Sequence, residues 1–116
     1  MCRTWKIVYY RNRRGSSSVY DFIEAAQVQE QAKMYNSLEL LEEFGIGVRP
    51  LFAKKLTVSG IWELRIVGND SIRILYAAAS DKTFVLLHAF YKKKQKIDRK
   101  DVQLAERRLQ EFKSRY

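Results

Sequence analysis

The segment from Trp62 to Lys96 constrains the fold of this chain more than any other. It reads WELRIVGNDSIRILYAAASDKTFVLLHAFYKKKQK, with apolar runs separated by turn-forming residues and closed by a lysine cluster. Side chains on a β-strand point alternately to opposite faces. The first two runs therefore each place an apolar set on one face: Trp62, Leu64 and Ile66, then Ile72, Ile74 and Tyr76. This pattern predicts consecutive antiparallel strands with one face turned towards a core.

The connection between the first two strands predicts which residues face each other. The two apolar sets lie on the same side of a hairpin only if the connection has an odd number of residues, and Gly68 to Asp70 supply three. That register places Arg65 directly opposite Arg73, on the face away from the apolar side chains. Like charges in this arrangement destabilise a sheet by up to about 1 kcal/mol. Either Glu63, on the same face, completes an ordinary surface ion network, or the two arginines bind an anion.

Length and composition predict one folded domain spanning residues 1–116. The chain has 116 residues, of which 47% are hydrophobic, so it can bury a single core. No apolar run approaches the roughly 18 residues of a membrane span. The N-terminus lacks the pattern of a secretory signal, so a cytoplasmic location without a membrane partner is expected. Cys2 has no second cysteine to pair with, and we assign it no role.

The charge of the chain favours a polyanionic partner. Twenty-two basic residues against thirteen acidic ones give a formal net charge of +9, and the sequence pI is about 9.8, as expected of a nucleic-acid-binding domain. Six of the cations fall within nine residues: Lys92, Lys93, Lys94, Lys96, Arg99 and Lys100. The alternative interpretation of this cluster is a solvated run of charge.

The remaining elements are predicted from propensity and capping. Trp5 to Tyr10 is rich in β-branched and aromatic residues and predicts a first strand. Ser17 or Ser18 can cap a helix, and a second helix ends at Phe44, where Gly45 can adopt a left-handed conformation. Gly47 and Pro50 indicate a connection into the sheet, and Asp98 can cap a closing helix.

These elements predict the order βααβββα. The result is an α+β domain with a small antiparallel sheet, an N-terminal helical hairpin and a C-terminal helix. We expect the helices to cover one sheet face and the other face to stay open, carrying Arg65 and Arg73.

The residue inventory narrows the chemistry. The chain has one histidine, His88, and one cysteine, and it shows no zinc motif, Cys-His dyad, P-loop or GxSxG motif. Cationic chemistry on a phosphate remains, because RNA can supply its own 2′-hydroxyl as nucleophile while arginines hold the non-bridging oxygens. We therefore expect neither a metal nor a cofactor.

The turn near Ser80 to Lys82 decides which residues of the last strand join Arg73. A two-residue turn would bring one alternating set to that face, and a three-residue turn would bring the other. The first set is His88, Phe90 and Lys92; the second is Tyr91 and Lys93. His88 is either a half-buried strand residue or a proton-transfer group. The aromatic side chains of Phe90 and Tyr91 either pack or stack on bases.

Together, IWELR, SIRILYAA, LLHAFYKKKQK and a following helix with AERR resemble the RelE/ParE toxin superfamily, in particular phage-derived HigB-like toxins. The resemblance covers Lys54 to Arg108. It implies a RelE-like fold and a type II toxin that cleaves messenger RNA on the ribosome. It also implies a cognate helix-turn-helix antitoxin of the HigA kind. This chain departs from the family pattern at Ile97 and Asp98, where a Thr-Pro pair is common.

The resemblance also implies roles for individual residues. The family's basic residues match Arg65, Arg73, Lys92, Lys93, Lys54 and Lys55. With Tyr91 added for proton transfer, the expected catalytic set is Arg65, Arg73, Tyr91, Lys92 and Lys93. The expected RNA-binding set is Lys54, Lys55, His88, Lys94 and Lys96. Two alternatives stay open, since some members of the superfamily poison DNA gyrase and a basic module can bind nucleic acid without cutting it.

Overall fold

The computed structural model describes residues 5–45, 53–93 and 95–115. It contains eight helices and strands in this range: β1 Lys6–Tyr9, α1 Ser18–Ala25, α2 Val28–Phe44, β2 Ala53–Lys55, β3 Trp62–Ile66, β4 Asn69–Ala79, β5 Thr83–Tyr91 and α3 Arg99–Arg115. The α+β class is confirmed. The expectations for Cys2, Gly47, Pro50 and Lys94 lie outside the described residues.

The sheet has five strands in the order β1-β5-β4-β3-β2. β1 runs parallel to β5, while the other neighbouring pairs are antiparallel. The predicted order lacked one strand, because β2 is only three residues long and two of them are lysines. So short a segment cannot display the alternation that reveals a strand. The parallel pairing of β1 joins segments far apart in the chain, which no local pattern can indicate.

The register of the β3–β4 hairpin confirms the predicted pairing. Arg65 lies directly opposite Arg73, and Leu64 lies opposite Ile74. The predicted three-residue connection is wrong, since β4 already begins at Asn69 and the register shifts between Arg65 and Ile66. The register shift lies close to the turn. In the rest of the two strands the side chains therefore alternate between the faces as predicted.

One face of the sheet packs against α1 and α2, and we call it the α1/α2 face. Its buried cluster unites helix residues such as Ile23, Met34 and Leu41 with the alternating apolar sets of β3 and β4. The predicted cap is confirmed, because the Ser17 hydroxyl accepts the N–H of Tyr20. Gly45 ends α2 at a positive φ of 57°. A Cβ there would lie 2.3 Å from the Trp5 indole nitrogen, so this position requires glycine.

The opposite face packs against α3, and we call it the α3 face. Ala105 and Leu109 of the helix bury against Leu75, Ala77 and neighbouring apolar residues of the sheet. The expectation of an open face is therefore wrong, because the apolar stripe of α3 requires a partner surface. The Asp98 carboxylate accepts the N–H of Lys100, which confirms the predicted cap. No described helix, α3 included, is long and apolar enough to cross a membrane.

Candidate functional site

The β4–β5 hairpin determines which side chains share the α3 face with Arg73. Three residues separate the strands, and Ala79 lies opposite Thr83. A regular hairpin with that connection would turn Tyr91 towards Arg73. A register shift between Leu75 and Tyr76 reverses the parity beyond it, so Arg73 faces Phe90. The turn therefore has three residues, as in the second predicted alternative. The residues that share the face of Arg73 are those of the first alternative, because the bulge shifts the alternation of side chains by one residue.

Two adjacent rows of cross-strand neighbours cross the α3 face. One row is Phe90, Arg73 and Arg65; the other is His88, Leu75, Glu63 and Lys54. Neighbouring strands lie about 4.8 Å apart, so the second row spans roughly 14 Å. The structure thus brings four of the expected site residues to one face: Lys54, Arg65, Arg73 and His88. Lys55 lies opposite Trp62 and belongs to the other alternating set.

The two opposed arginines have different environments. Arg73 is 5% exposed, and its Nε donates to Oε2 of Glu63 at 2.9 Å. Its Nη1 also donates to the carbonyl of Ile72 at 3.1 Å. Arg65 is exposed. Compensation by Glu63 is confirmed, but the predicted surface location of Arg73 and Glu63 is wrong, because the ion pair is buried. Arg65 alone of the two presents its side chain to solvent.

His88 forms a second polar pair on this face, with Asp101 of α3. The His88 Nε2 and an Asp101 carboxylate oxygen lie 2.7 Å apart, and the imidazole stacks on Phe90 with ring centroids 5.0 Å apart. Burial lowers the pKa of His88, outweighing Asp101, which raises it, while Arg108 also lowers it. The neutral imidazole is therefore favoured, and the hydrogen bond through Nε2 leaves Nδ1 for another partner.

Sequence reasoning missed Asp101 as the partner of His88. A signal was available, because Asp101 lies four residues before Ala105, on the helix face that carries the apolar stripe. That spacing turns a carboxylate towards the sheet.

Two concavities meet at Asp101, and both cationic and acidic residues border each of them. A cavity of about 150 Å³ is bordered by Phe90, Asp101 and the lysines at 92, 93 and 96. A more open concavity of about 610 Å³ is bordered by His88 and by two cations, Lys100 and Arg107, which Asp101 and Glu106 balance. Asp101 borders both of them. This arrangement can hold phosphates close to a neutral imidazole.

The Tyr91 side chain packs on the other side of the sheet, although the residue also borders the cavity of about 150 Å³. It is opposite Ile72, its ring centroid lies 5.0 Å from that of Phe22, and its hydroxyl donates to Glu30 at 2.7 Å. The hydrogen bond to Glu30 raises the pKa of Tyr91. The structure therefore separates Tyr91 from His88 and Arg73 and ties it to α2.

The exposed lysines complete the description of the expected residues. Lys93 and Lys96 are exposed, and Lys92 is half-buried with its backbone N–H donating to the carbonyl of Ser71. Within residues 5–45, 53–93 and 95–115, no group of three or more His, Cys, Asp or Glu side chains could hold a metal ion.

Comparison with known proteins identifies the family. The model of the family described as phage derived protein Gp49-like (DUF891) matches residues 21–110, from α1 through most of α3. A search of the curated proteins found no match. The family is one of toxin-type, phage-derived proteins and implies an antitoxin partner. The chain therefore belongs to the phage-derived Gp49-like family, within the RelE/ParE-like superfamily of toxins from toxin–antitoxin systems.

Proposed function

We propose that this chain is the toxin of a type II toxin–antitoxin system and cleaves messenger RNA on the ribosome. The observation that carries the proposal is the His88–Asp101 pair, a neutral imidazole held 2.7 Å from a carboxylate that also borders a cavity with three lysines. Family membership supports the toxin role, and this pair favours a nuclease within that role. A helix-turn-helix antitoxin of the HigA kind would neutralise the toxin.

In the proposed reaction, His88 acts as the general base. The imidazole takes the proton of the 2′-hydroxyl, and the 2′-oxygen attacks the adjacent phosphorus. The bond from phosphorus to the 5′-oxygen breaks, and Lys92 or Lys93 gives a proton to that oxygen. The products are a 2′,3′-cyclic phosphate and a 5′-hydroxyl. Asp101 orients the imidazole. It also stabilises the charged imidazolium that forms when His88 has taken the proton.

The cations of the α3 face stabilise the charge that develops on the phosphate. Arg65 is exposed in the same cross-strand row as Phe90, roughly 10 Å across the sheet, and can hold the non-bridging oxygens in bidentate fashion. Lys54 and Lys96 would contact the RNA backbone on either side, and the sequence alone suggests Lys94 as a further RNA-binding residue. Arg73 would act by holding Glu63, which limits the repulsion between the two arginines.

The small size of the site favours an RNA substrate that is held in place by the ribosome. The cavity beside Lys92, which would hold the reacting phosphate, measures about 150 Å³, smaller than the roughly 300–1,000 Å³ of typical ligand pockets. The concavity of about 610 Å³ next to His88 is larger but open to solvent. Such a site contacts only part of a nucleotide and cannot orient a flexible strand alone. A ribosome that fixes the message in place would supply that orientation.

The direct test is cleavage of a defined message on purified ribosomes, with the new 5′ and 3′ ends mapped. His88→Gln should lower the single-turnover rate about 10²- to 10⁴-fold, the usual contribution of a general base. Thermal unfolding of the same variant checks that the fold persists. Growth arrest on expression without an antitoxin should disappear in parallel.

The pH dependence sharpens the assignment of the base. Asp101 raises the pKa of His88, so Asp101→Asn should shift the acid limb of the pH–rate profile to lower pH as it slows the reaction. An unshifted acid limb would contradict a base held by Asp101. An intact message combined with inhibited DNA supercoiling would indicate a gyrase poison, and RNA bound without cleavage would indicate a non-catalytic module.

A further inference from the structure

The outer edge of β1 exposes backbone groups that can form hydrogen bonds. β1 is the last strand of the sheet on that side, paired only with β5 among the described strands. The N–H of Lys6 donates to the carbonyl of Lys82 at 3.0 Å, and the N–H of Tyr10 donates to the carbonyl of Leu86 at 2.9 Å. Hydrogen bonds in a parallel pair are evenly spaced. Every second residue of β1 therefore faces β5, and Ile7 and Tyr9 direct their N–H and C=O groups outwards.

The end of α2 confirms the direction of this edge. The N–H of Trp5, two residues before Ile7, donates away from the sheet to the carbonyl of Glu42 at 3.1 Å. Beyond that bond, no segment among the described residues forms a ladder with the outer edge of β1. An unpaired edge of this kind is a template for an additional strand.

A basic cavity lies beside the same edge, on the α3 face. It measures about 520 Å³, and its border includes Lys6, Val8, Arg11, Asp81, Phe112 and Arg115. Three of these residues are cationic and one is acidic. Arg115 is also paired with Glu111, and Arg11 donates to the carbonyl of Gly15. Val8 and Phe112 contribute apolar surface. Alternate side chains of an added strand would point into this cavity, where carboxylates meet an excess of positive charge.

We propose that an extended acidic segment of the antitoxin pairs with the outer edge of β1 as a sixth strand. Its backbone bonds to Ile7 and Tyr9, and every second side chain is a carboxylate placed near Lys6 and Arg11. The proposal rests on the antitoxin partnership of the family and does not require RNA cleavage. The cavity lies at the Thr83 end of β5. His88 lies five residues along the strand, roughly 17 Å away, so this contact leaves the candidate site uncovered.

Amide hydrogen exchange tests the proposal with a synthetic peptide of ten residues in which Glu and Thr alternate. Saturation with this peptide should slow exchange at Ile7 and Tyr9 at least about tenfold. Exchange at Lys6, Val8 and Tyr10 should stay unchanged, because their N–H groups already face β5. A peptide with Lys in place of Glu should not bind. The proposal fails if exchange at Ile7 and Tyr9 is unaltered, including the case where the peptide binds only at Lys92 to Lys100.

Two variant pairs test the backbone and the charge separately by calorimetric titration of the same peptide. Ile7→Pro removes the outward N–H, whereas Ile7→Ala shortens the side chain but keeps that N–H. The proline variant should bind the peptide about three- to tenfold more weakly than the alanine variant. Arg11→Gln should weaken binding, while Arg13→Gln, an exposed control, should not. Equal affinities within the arginine pair would overturn the proposal even if Ile7→Pro fails to fold. Cleavage assays are not needed for either comparison.

Discussion

The two faces of the sheet bury different kinds of side chain. The α1/α2 face encloses aliphatic and aromatic residues, and its polar contacts, such as Tyr91 with Glu30, lie at the margin. The α3 face encloses apolar residues too, but it also holds the buried Glu63–Arg73 pair and the half-buried pair of His88 with Asp101. Burial of ionisable groups is unfavourable unless they are paired. The difference indicates that the α1/α2 face stabilises the fold, and the α3 face also carries the groups suited to chemistry.

The largest expected difference lies within the α3 face, between the opposed residues Arg73 and Arg65. Arg73→Ala leaves Glu63 buried without its charge partner, so we expect a loss of about 3–5 kcal/mol in the free energy of unfolding. Arg65→Ala, at the residue directly opposite, should change it by less than about 0.5 kcal/mol, because that side chain is exposed. Urea denaturation of both variants measures the difference.

A double replacement tests whether Arg73→Ala destabilises the fold by breaking the ion pair with Glu63 or by removing side-chain volume. Glu63→Leu combined with Arg73→Met removes both charges and keeps apolar bulk, and such replacements are often neutral or stabilising. Similar stability losses for Arg65→Ala and Arg73→Ala would show that the two positions are equivalent. The comparison of a buried and an exposed arginine would then be wrong.

The hairpin also shows what local patterns can and cannot predict. The pairing of Arg65 with Arg73 was predicted from alternation together with a three-residue connection. The pairing is confirmed although the connection is shorter, because the apolar sets of the two strands share one face. The burial of Arg73 could not be predicted, since it depends on which segments cover the α3 face after folding. The same holds for the contact of His88 with Asp101, and for the bulge at Leu75 that turns His88 and Phe90 to that face. The three-residue β2 carries too few residues to show any period.

The second expected effect concerns the pH dependence of stability. The pKa of His88 is lowered in the folded chain, chiefly by burial, so the unfolded chain binds the proton more readily. The contribution of neutral His88 to the free energy of unfolding is complete above the pKa of histidine in the unfolded chain, near 6.5. It declines as the pH falls towards the folded pKa. One proton changes stability by at most about 1.4 kcal/mol per pH unit.

Urea denaturation between pH 5 and pH 7 measures this slope, and His88→Gln is the matched variant because its amide can still bond to Asp101. The variant should be less sensitive to pH than the wild type over this range. An equal slope in both proteins would show that other groups dominate. A steeper slope in the variant would contradict the direction of the His88 shift.

The smallest expected effect tests whether Tyr91 belongs to the site at all. Tyr91→Phe removes the hydroxyl that donates to Glu30 and keeps the ring against Phe22, so stability should fall by about 0.5–1 kcal/mol. Because Tyr91 lies on the α1/α2 face, message cleavage should be unchanged within twofold, measured under the conditions used for His88→Gln. Glu30→Gln is the control, since it weakens the same hydrogen bond from the other side and should cause a similar loss of stability. A large loss of cleavage by Tyr91→Phe, with cleavage by Glu30→Gln intact, would return the tyrosine to the catalytic set. It would also require the end of β5 to change conformation when RNA binds, so that the Tyr91 hydroxyl leaves Glu30 and reaches the α3 face.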